Sequence, residues 1–221
     1  MKHQSAAGVA SLLISAMFVG SLWILTRVPD GARVPVHFGL DGTADRWMDP
    51  WPGLFLLPAA AAIVWLVLFL LPKIDPRGDN IIRSSKAYGT IWLAVIALLA
   101  ATHGIIMAVT ANFDVNATRW ITALVGALFI AMGNMFGKIR PNYTLGIRTP
   151  WTLADAQVWD KTHRFAGRLF VIGGFVLMVV AATVSNGPQV GAAILVIISS
   201  AVLLPVVKSY LLWREREQGR R

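Results

Sequence analysis

The sequence predicts an all-α polytopic membrane protein of about six transmembrane helices, with a turn-rich outer cap and a structured inner loop. Hydrophobic residues make up 56% of the 221-residue chain. Charged residues make up only 14%, whereas a soluble domain carries about 25%. The apolar residues occur in runs of about 20, the length that crosses a hydrocarbon core as a helix. These observations together require a lipid environment.

Six apolar runs account for the predicted spans. Helices are expected because backbone groups in lipid must be satisfied within the segment, and the runs lack the alternation of an outer-membrane barrel. The first run is too long for a signal-peptide core and has no A-x-A site after it, so it is expected to be an uncleaved span. Residues 185–187 leave room only for a tight helical hairpin. The spans are residues 6–26, 52–72, 88–110, 118–136, 166–184 and 188–210.

The distribution of Lys and Arg predicts the orientation. Sixteen of the 20 basic residues fall at the N-terminus, the second and fourth connections and the C-terminal tail. By the positive-inside rule, both termini are expected on the cytoplasmic side of the membrane. The net charge of +9 is therefore mainly topological. It favours contact with anionic lipids and predicts no direct binding to nucleic acid. The four basic residues on the opposite side are Arg27, Arg33, Arg46 and Arg119.

The chain has no cysteine, which excludes disulfides, thiolate nucleophiles and Cys-ligated metal sites.

In the outer connection, residues 27–51, several Gly and Pro forbid a continuous helix. His37, Asp41 and Asp45 recur every four residues, a spacing that would suit a metal site on a helix. The favoured interpretation has no metal: Asp41 lies in a turn, and Asp45 and Asp49 are solvated partners of Arg46.

The inner connection, residues 133–167, has two halves. In the first half, Arg140 and Arg148 flank Asn142 and Tyr143, and guanidinium groups bind phosphate or carboxylate in a bidentate fork. The alternative is that both arginines only anchor the topology. The second half predicts a helix that starts before the membrane and continues into the fifth span.

That helix has a capping-box-like start at Thr152 and Asp155. One of its faces carries Trp159, His163 and Ala166. A second face is expected to hold an ion pair between residues 160 and 164, one helical turn apart. Histidine has a suitable pKa for a general base, but no nucleophile motif, metal triad or phosphate loop accompanies His163. A membrane enzyme that uses His163 and the loop arginines is kept as an alternative function.

Two polar or small-residue features fall within the spans. His103 lies inside the third span, where an ionisable side chain is costly, and a helix–helix hydrogen bond is favoured over a proton relay. Gly133 and Gly137 form a G-x-x-x-G pattern, which predicts close helix packing at the inner end of the fourth span.

Two segments carry a family resemblance. The inner segment, residues 140–153 continued by residues 158–164, resembles the signature of the SdpI family of bacterial membrane proteins. The outer segment around Pro35 resembles a small uncharacterised domain often found at the front of that family. The inner positions are Arg140, Asn142, Tyr143, Arg148, Thr149, Trp151, Trp159, Thr162 and His163. The outer positions are His37, Phe38, Gly42, Asp45 and Trp47.

The resemblance implies a role without enzymatic activity or a cofactor. The family's founding member protects a toxin-producing bacterium from its own secreted peptide toxin, and it also holds a transcriptional repressor at the membrane when toxin is present. The expected partners are therefore membrane lipids, a peptide toxin outside and a repressor protein inside. Residues 1–72 would form an N-terminal pair of spans with the outer motif loop 27–51. Residues 73–221 would form an SdpI-like four-span region with the inner motif loop 137–165.

A transporter or channel is the other alternative from a different class. The motif loops follow the first and fourth spans, so two halves of three spans each would be inverted relative to one another, as in many transporters.

Overall fold

The structure is a computed structural model that describes residues 3–39, 43–184 and 187–219. Over these residues the chain forms eight helices and one two-stranded antiparallel sheet. In chain order the elements are α1 His3–Leu25, β1 Val34–Phe38, β2 Ala44–Met48, α2 Pro50–Ile74, α3 Gly78–Arg83, α4 Ser85–Thr110, α5 Ala117–Phe136, α6 Pro150–Ala154, α7 Ala156–Thr183 and α8 Pro188–Gln218.

Six of these helices, α1, α2, α4, α5, α7 and α8, are long and apolar enough to cross a membrane, which confirms the predicted all-α architecture. The predicted bounds of the first four spans are correct to within three residues. Helix α7 starts at Ala156, ten residues before the predicted span, because the expected pre-membrane helix continues into it without a break. The tight hairpin predicted after α7 includes residues 185 and 186, which lie outside the described residues.

The two ends of the helix bundle differ. We call the end that carries β1 and β2 the outer end, and the end that carries residues 137–155 the inner end. As predicted, the outer connection does not form a continuous helix. It forms a β-hairpin, which was not predicted. Val34 is fully buried against Leu54 of α2. A Cβ atom on Gly53 would lie 2.7 Å from the Cβ of Val34, so this glycine permits the hairpin to sit on α2.

Helix α2 contains Pro58, which has no N–H and leaves the carbonyl of Leu54 without its helical donor. The hydroxyl of Ser21 in α1 donates to that oxygen at 2.8 Å. The Nε2 atom of His103 in α4 lies 3.1 Å from the same oxygen and 3.0 Å from the Ser21 hydroxyl. The predicted helix–helix hydrogen bond of His103 is therefore confirmed, and it satisfies a carbonyl that the proline exposes.

The same arrangement recurs at the inner end of α2. Pro72 leaves the carbonyl of Leu68 without a helical donor, and the buried hydroxyl of Tyr88 in α4 donates to that oxygen. Helix α2 is thus tied to α4 by a side-chain hydrogen bond near each of its ends.

Helices α5 and α7 pack backbone to backbone at two glycine pairs. A Cβ on Gly133 would lie 2.6 Å from the carbonyl oxygen of Gly167, and a Cβ on Gly126 would lie 2.7 Å from that of Gly174. Close packing at Gly133 is therefore confirmed. Gly137 also lies close to α7, but less closely: a Cβ there would lie 3.2 Å from the Cγ and 3.9 Å from the Cα of Arg164. The contact repeats every seven residues because the helices are antiparallel and meet once per two turns.

Candidate functional site

The inner motif loop between α5 and α6 is folded by Asn142. This side chain is fully buried, and its Oδ1 accepts from the backbone N–H groups of Thr144 at 2.9 Å and Leu145 at 2.7 Å. Its Nδ2 donates to the carbonyl of Arg140 at 2.9 Å. Asparagine side chains favour such local turns because the amide mimics a backbone group. Asn142 therefore sets the shape of the loop and is not free to bind a ligand.

Asp75, directly after α2, holds the loop from the other side. Its Oδ2 accepts from the N–H of Tyr143 at 3.0 Å and from the hydroxyl of Thr144. Its Oδ1 accepts from the N–H of Arg77 at 2.7 Å. The carboxylate is mostly buried, so each of these donors satisfies a group that water does not reach.

The α3 segment adds two more contacts. Asn80 donates from Nδ2 to the carbonyl of Pro141 at 2.7 Å, and the hydroxyl of Ser84 accepts from the N–H of Arg140 at 3.0 Å. Asp75, Asn80 and Ser84 were not predicted from the sequence. The second connection, between α2 and α4, was interpreted only as a basic link. The available signal was a polar, acid-containing stretch directly after Pro72, where a simple link needs no carboxylate.

His163 joins the loop to α7. The side chain is 1% exposed and stacks on Trp159 with 4.0 Å between ring centroids. Its Nε2 lies 3.0 Å from the backbone N of Ile147, and its Nδ1 lies 2.9 Å from the carbonyl oxygen of Trp159. The backbone N–H must donate, so Nε2 is the acceptor and Nδ1 carries the proton. Both ring nitrogens are engaged in a neutral imidazole.

Gly146 allows this contact. Its φ angle is +93°, and a Cβ at this position would overlap the imidazole of His163. Only glycine has both the required backbone conformation and the required space. Leu145, directly before Gly146 in the chain, packs against the two large hydrophobic clusters of the bundle. One cluster contains Tyr88 and the other contains Trp159.

The end of the loop forms a short helix and contacts α8. Thr149 caps α6 in a reciprocal capping box with Thr152. The Thr149 hydroxyl lies 3.1 Å from that of Ser209, and the indole N–H of Trp151 donates to the same hydroxyl. The Trp151 ring also contacts Tyr210 of α8, with centroids 5.3 Å apart. The loop is therefore bonded to α2, α3, α4, α7 and α8.

The predicted helix start was wrong in detail. Thr152 and Asp155 do not cap one helix: α6 ends at Ala154, and Asp155 caps α7 by accepting from the N–H of Gln157 at 2.8 Å. Its second oxygen lies 3.0 Å from Arg216 of α8.

The predicted ion pair between Asp160 and Arg164 was also wrong. No ion pair between these two residues forms within 4.0 Å in the described part of the chain, where the Arg164 side chain lies near Gly137 of α5 instead.

The nine inner motif residues divide into two groups. The buried group forms the support for the loop: Asn142, Thr149, Trp159, Thr162 and His163. Trp159, for example, donates from its indole to the carbonyl of Ile139 at 2.8 Å. The accessible group is Arg140, Tyr143, Arg148 and the half-buried Trp151. Arg148 donates to the carbonyl of Tyr143 at 3.0 Å, and Arg77 lies over the Tyr143 ring at 4.9 Å from its centroid.

The outer motif lies on the β-hairpin. His37 and Asp45 face each other across the strands, with 2.6 Å between Nδ1 and Oδ1. Asp49 pairs with Arg33 at 2.8 Å. The expected pairing of both carboxylates with Arg46 was therefore wrong, because strand pairing brings His37 and Arg33 to them instead. The remaining outer motif residues are the half-buried Phe38, the exposed Trp47, and Gly42, which with Asp41 lies outside the described residues.

A cavity of about 330 Å³ lies between the hairpin and the helix bundle. Its polar edge includes His37 and Thr118, whose hydroxyl donates to the carbonyl of Gly39 at 2.9 Å. Most of its lining is apolar: Val36, Phe38, Leu56, Leu57, Ile106, Ile121 and Ile194. The outer motif therefore covers an apolar pocket at the outer end of the helix bundle.

Six apolar helices with an ordered loop at one end and a hairpin over a cavity at the other define a polytopic α-helical membrane protein. Residues 138–209 match the SdpI/YfhL protein family, and residues 12–62 match a domain of unknown function, DUF1648. The resemblance carried by the two motifs is thereby confirmed.

The chain is also similar to the immunity protein SdpI of Bacillus subtilis (strain 168). The identity is 23% over 212 residues, which cover 96% of this chain and 98% of that protein. No solved structure matches the chain.

Proposed function

We propose that this chain is a bacterial inner-membrane immunity or signalling protein of the SdpI type, without enzymatic activity. It protects against a peptide toxin or relays the presence of that toxin to a cytoplasmic partner. The observation that carries the proposal is the end-to-end similarity to an immunity protein, with the family match over residues 138–209. In this proposal residues 1–72 supply the outer motif and residues 73–221 the SdpI-like region, and both termini lie in the cytoplasm.

The outer cavity is the proposed ligand site. Its apolar lining suits the apolar side chains of a peptide that partitions into the membrane surface, and apolar pockets with a few polar groups are typical ligand sites. The His37–Asp45 pair is at the rim and is half-exposed, so it is available to orient a polar group of the peptide.

The accessible residues of the inner motif are the proposed contact for a cytoplasmic partner such as a repressor protein. Arg140 and Arg148 extend from a backbone that Asn142 and Asp75 fix, so little backbone entropy is lost on binding. Guanidinium groups suit carboxylates or phosphates of such a partner.

Helices α2 and α4 connect the two proposed sites. Leu56 and Leu57 of α2 and Ile106 of α4 line the outer cavity, and Asp75 at the end of α2 holds the inner loop. A ligand that shifts α2 relative to α4 would change the position of the inner loop, because Asp75 after α2 and Ser84 before α4 are both hydrogen-bonded to that loop. We infer that this helix pair transmits ligand binding.

The alternative of a membrane enzyme that uses His163 has less support. A general base needs a free nitrogen within reach of a substrate, and both ring nitrogens of His163 are engaged with backbone groups.

The test is complementation of a Bacillus subtilis strain that lacks its own immunity protein SdpI, in co-culture with toxin-producing cells. We expect the wild-type chain to restore survival. Ile121→Trp, which fills the outer cavity, should abolish survival, whereas Leu203→Trp on an exposed apolar position of α8 should not. No protection by the wild-type chain, at a membrane abundance equal to that of the Bacillus protein, would overturn the proposal.

A further inference from the structure

An open groove of about 540 Å³ lies between α5 and α7 at the inner end, and none of the nine inner motif positions lines it. Gly133 and Gly167 form its floor where the two backbones touch, and Gly137 extends it toward the end of α5. Because glycines have no side chains, the helices touch at the floor, and no side chain of these glycines occupies the groove above it.

Three basic side chains border the groove: Lys138, Arg164 and Arg168. All three are exposed, and no Asp or Glu is among the lining residues. In the described part of the chain, none of the three forms an ion pair within 4.0 Å. The basic side chains therefore have unused capacity to bind an anion.

The groove changes character with depth. Arg164 and Arg168 are one turn of α7 apart, about 6 Å along the helix axis. Val171 and Ile172 lie on the next turn toward the middle of the membrane, and Ile172 is 60% exposed. The groove is therefore basic at the membrane surface and apolar below it.

We infer that this groove binds an anionic phospholipid. The phosphate lies between Arg164, Arg168 and Lys138, and an acyl chain lies along the glycine floor against Val171 and Ile172. Arginine binds phosphate through two parallel hydrogen bonds, and basic pockets between membrane helices on the cytoplasmic side are suited to lipid headgroups. This inference does not depend on the proposed function, because no residue of the groove lines the outer cavity or is one of the nine inner motif positions.

The experiment is native mass spectrometry of the full chain with cardiolipin, phosphatidylglycerol or phosphatidylcholine at equal concentrations. We expect the wild type to retain an anionic lipid in preference to phosphatidylcholine. In Arg164→Gln/Arg168→Gln, retention of the anionic lipid should fall roughly thirtyfold, the loss expected for two basic residues at a membrane surface. The matched control, Arg83→Gln/Lys86→Gln, removes the same charge from the inner end outside the groove and should retain lipid like the wild type.

Three results would overturn the inference. Equal retention in the wild type and the Arg164/Arg168 variant would show that the groove binds no lipid. Equal losses in both double variants would assign retention to net charge alone, and complete displacement by inorganic phosphate would assign the groove to a free anion.

Ile172→Trp gives a second test that leaves the charge unchanged: it should lower lipid retention by filling the apolar part. If it instead dissociated a dimer seen in the wild type, the groove would be an interface between two copies.

Discussion

The imidazole of His163 accepts a hydrogen bond from the backbone N–H of Ile147 at 3.0 Å. This contact joins the inner motif loop to α7 at a position that solvent does not reach. It also fixes the tautomer, because the other ring nitrogen must then donate to the carbonyl of Trp159. A histidine held in this way supports the loop.

The first prediction tests this support through Gly146. Gly146→Ala should lower the melting temperature, with a loss of about 1–3 kcal/mol, because a side chain at φ +93° is strained and would collide with the His163 ring. Thermal unfolding in detergent measures the effect. Gly8→Ala is the matched control, since a Cβ there meets no atom within 4 Å. Equal melting temperatures for Gly146→Ala and the wild type would contradict the contact.

The second prediction concerns Asp75. Asp75→Ala removes the Oδ2 atom that accepts from both the N–H of Tyr143 and the hydroxyl of Thr144, so both donors lose their partner. We expect amide hydrogen exchange at Tyr143 to become about tenfold faster, the effect of roughly 1.4 kcal/mol of local stability. Asp79→Ala, at the second residue of α3, is the control. Unchanged exchange at Tyr143 would show that Asp75 does not hold the loop.

The sequence was sufficient to predict the six helices but only part of the site. Span number and bounds follow from runs of apolar residues, which the local sequence contains in full. Asp75 holds Tyr143 from 68 residues away in the chain, and His163 accepts from Ile147, which is 16 residues away. Such pairings are set by tertiary packing and leave no periodic signal. The β-hairpin was missed for a related reason: its strands are short, and Gly and Pro around them indicate turns more strongly than strands.

The third prediction tests the orientation. The chain has no cysteine, so single introduced cysteines report their own side of the membrane. We expect Ala111→Cys, at the outer end of α4, to react with an impermeant maleimide in intact cells. Ala154→Cys, at the inner end, should react only after lysis, and neither substitution alters the charge distribution that sets topology. Labelling of both residues in intact cells would contradict the proposed orientation.

The fourth prediction separates partner binding from anchoring at Arg140 and Arg148. Lysine serves topology as well as arginine does, but it cannot form the bidentate fork. We therefore expect Arg140→Lys and Arg148→Lys to lose protection in the co-culture test at unchanged membrane abundance. Arg83→Lys, on the neighbouring connection, should remain protective. Full protection by both loop variants would return these arginines to an anchoring role and leave the outer cap as the functional surface.

The last prediction concerns the carbonyl of Leu54, which Pro58 leaves without a helical donor and which Ser21 and His103 satisfy. His103→Asn should be mild, because an amide keeps a hydrogen-bond donor. His103→Leu removes the donor, and a loss of about 1 kcal/mol is expected for an interhelical hydrogen bond of this kind. Pro58→Ala restores the backbone N–H and should make the carbonyl less dependent on His103.

A double-mutant cycle tests that dependence. The cost of His103→Leu should be smaller by about 0.5 kcal/mol or more when Pro58→Ala is present, because the restored N–H then satisfies Leu54. Tyr88→Phe provides the control: Tyr88 donates to Leu68, one turn before Pro72, and its cost should not change with Pro58→Ala. Additivity of the His103 and Pro58 substitutions would mean that His103 stabilises α4 by packing alone, and that the proline does not explain why a histidine lies inside the membrane.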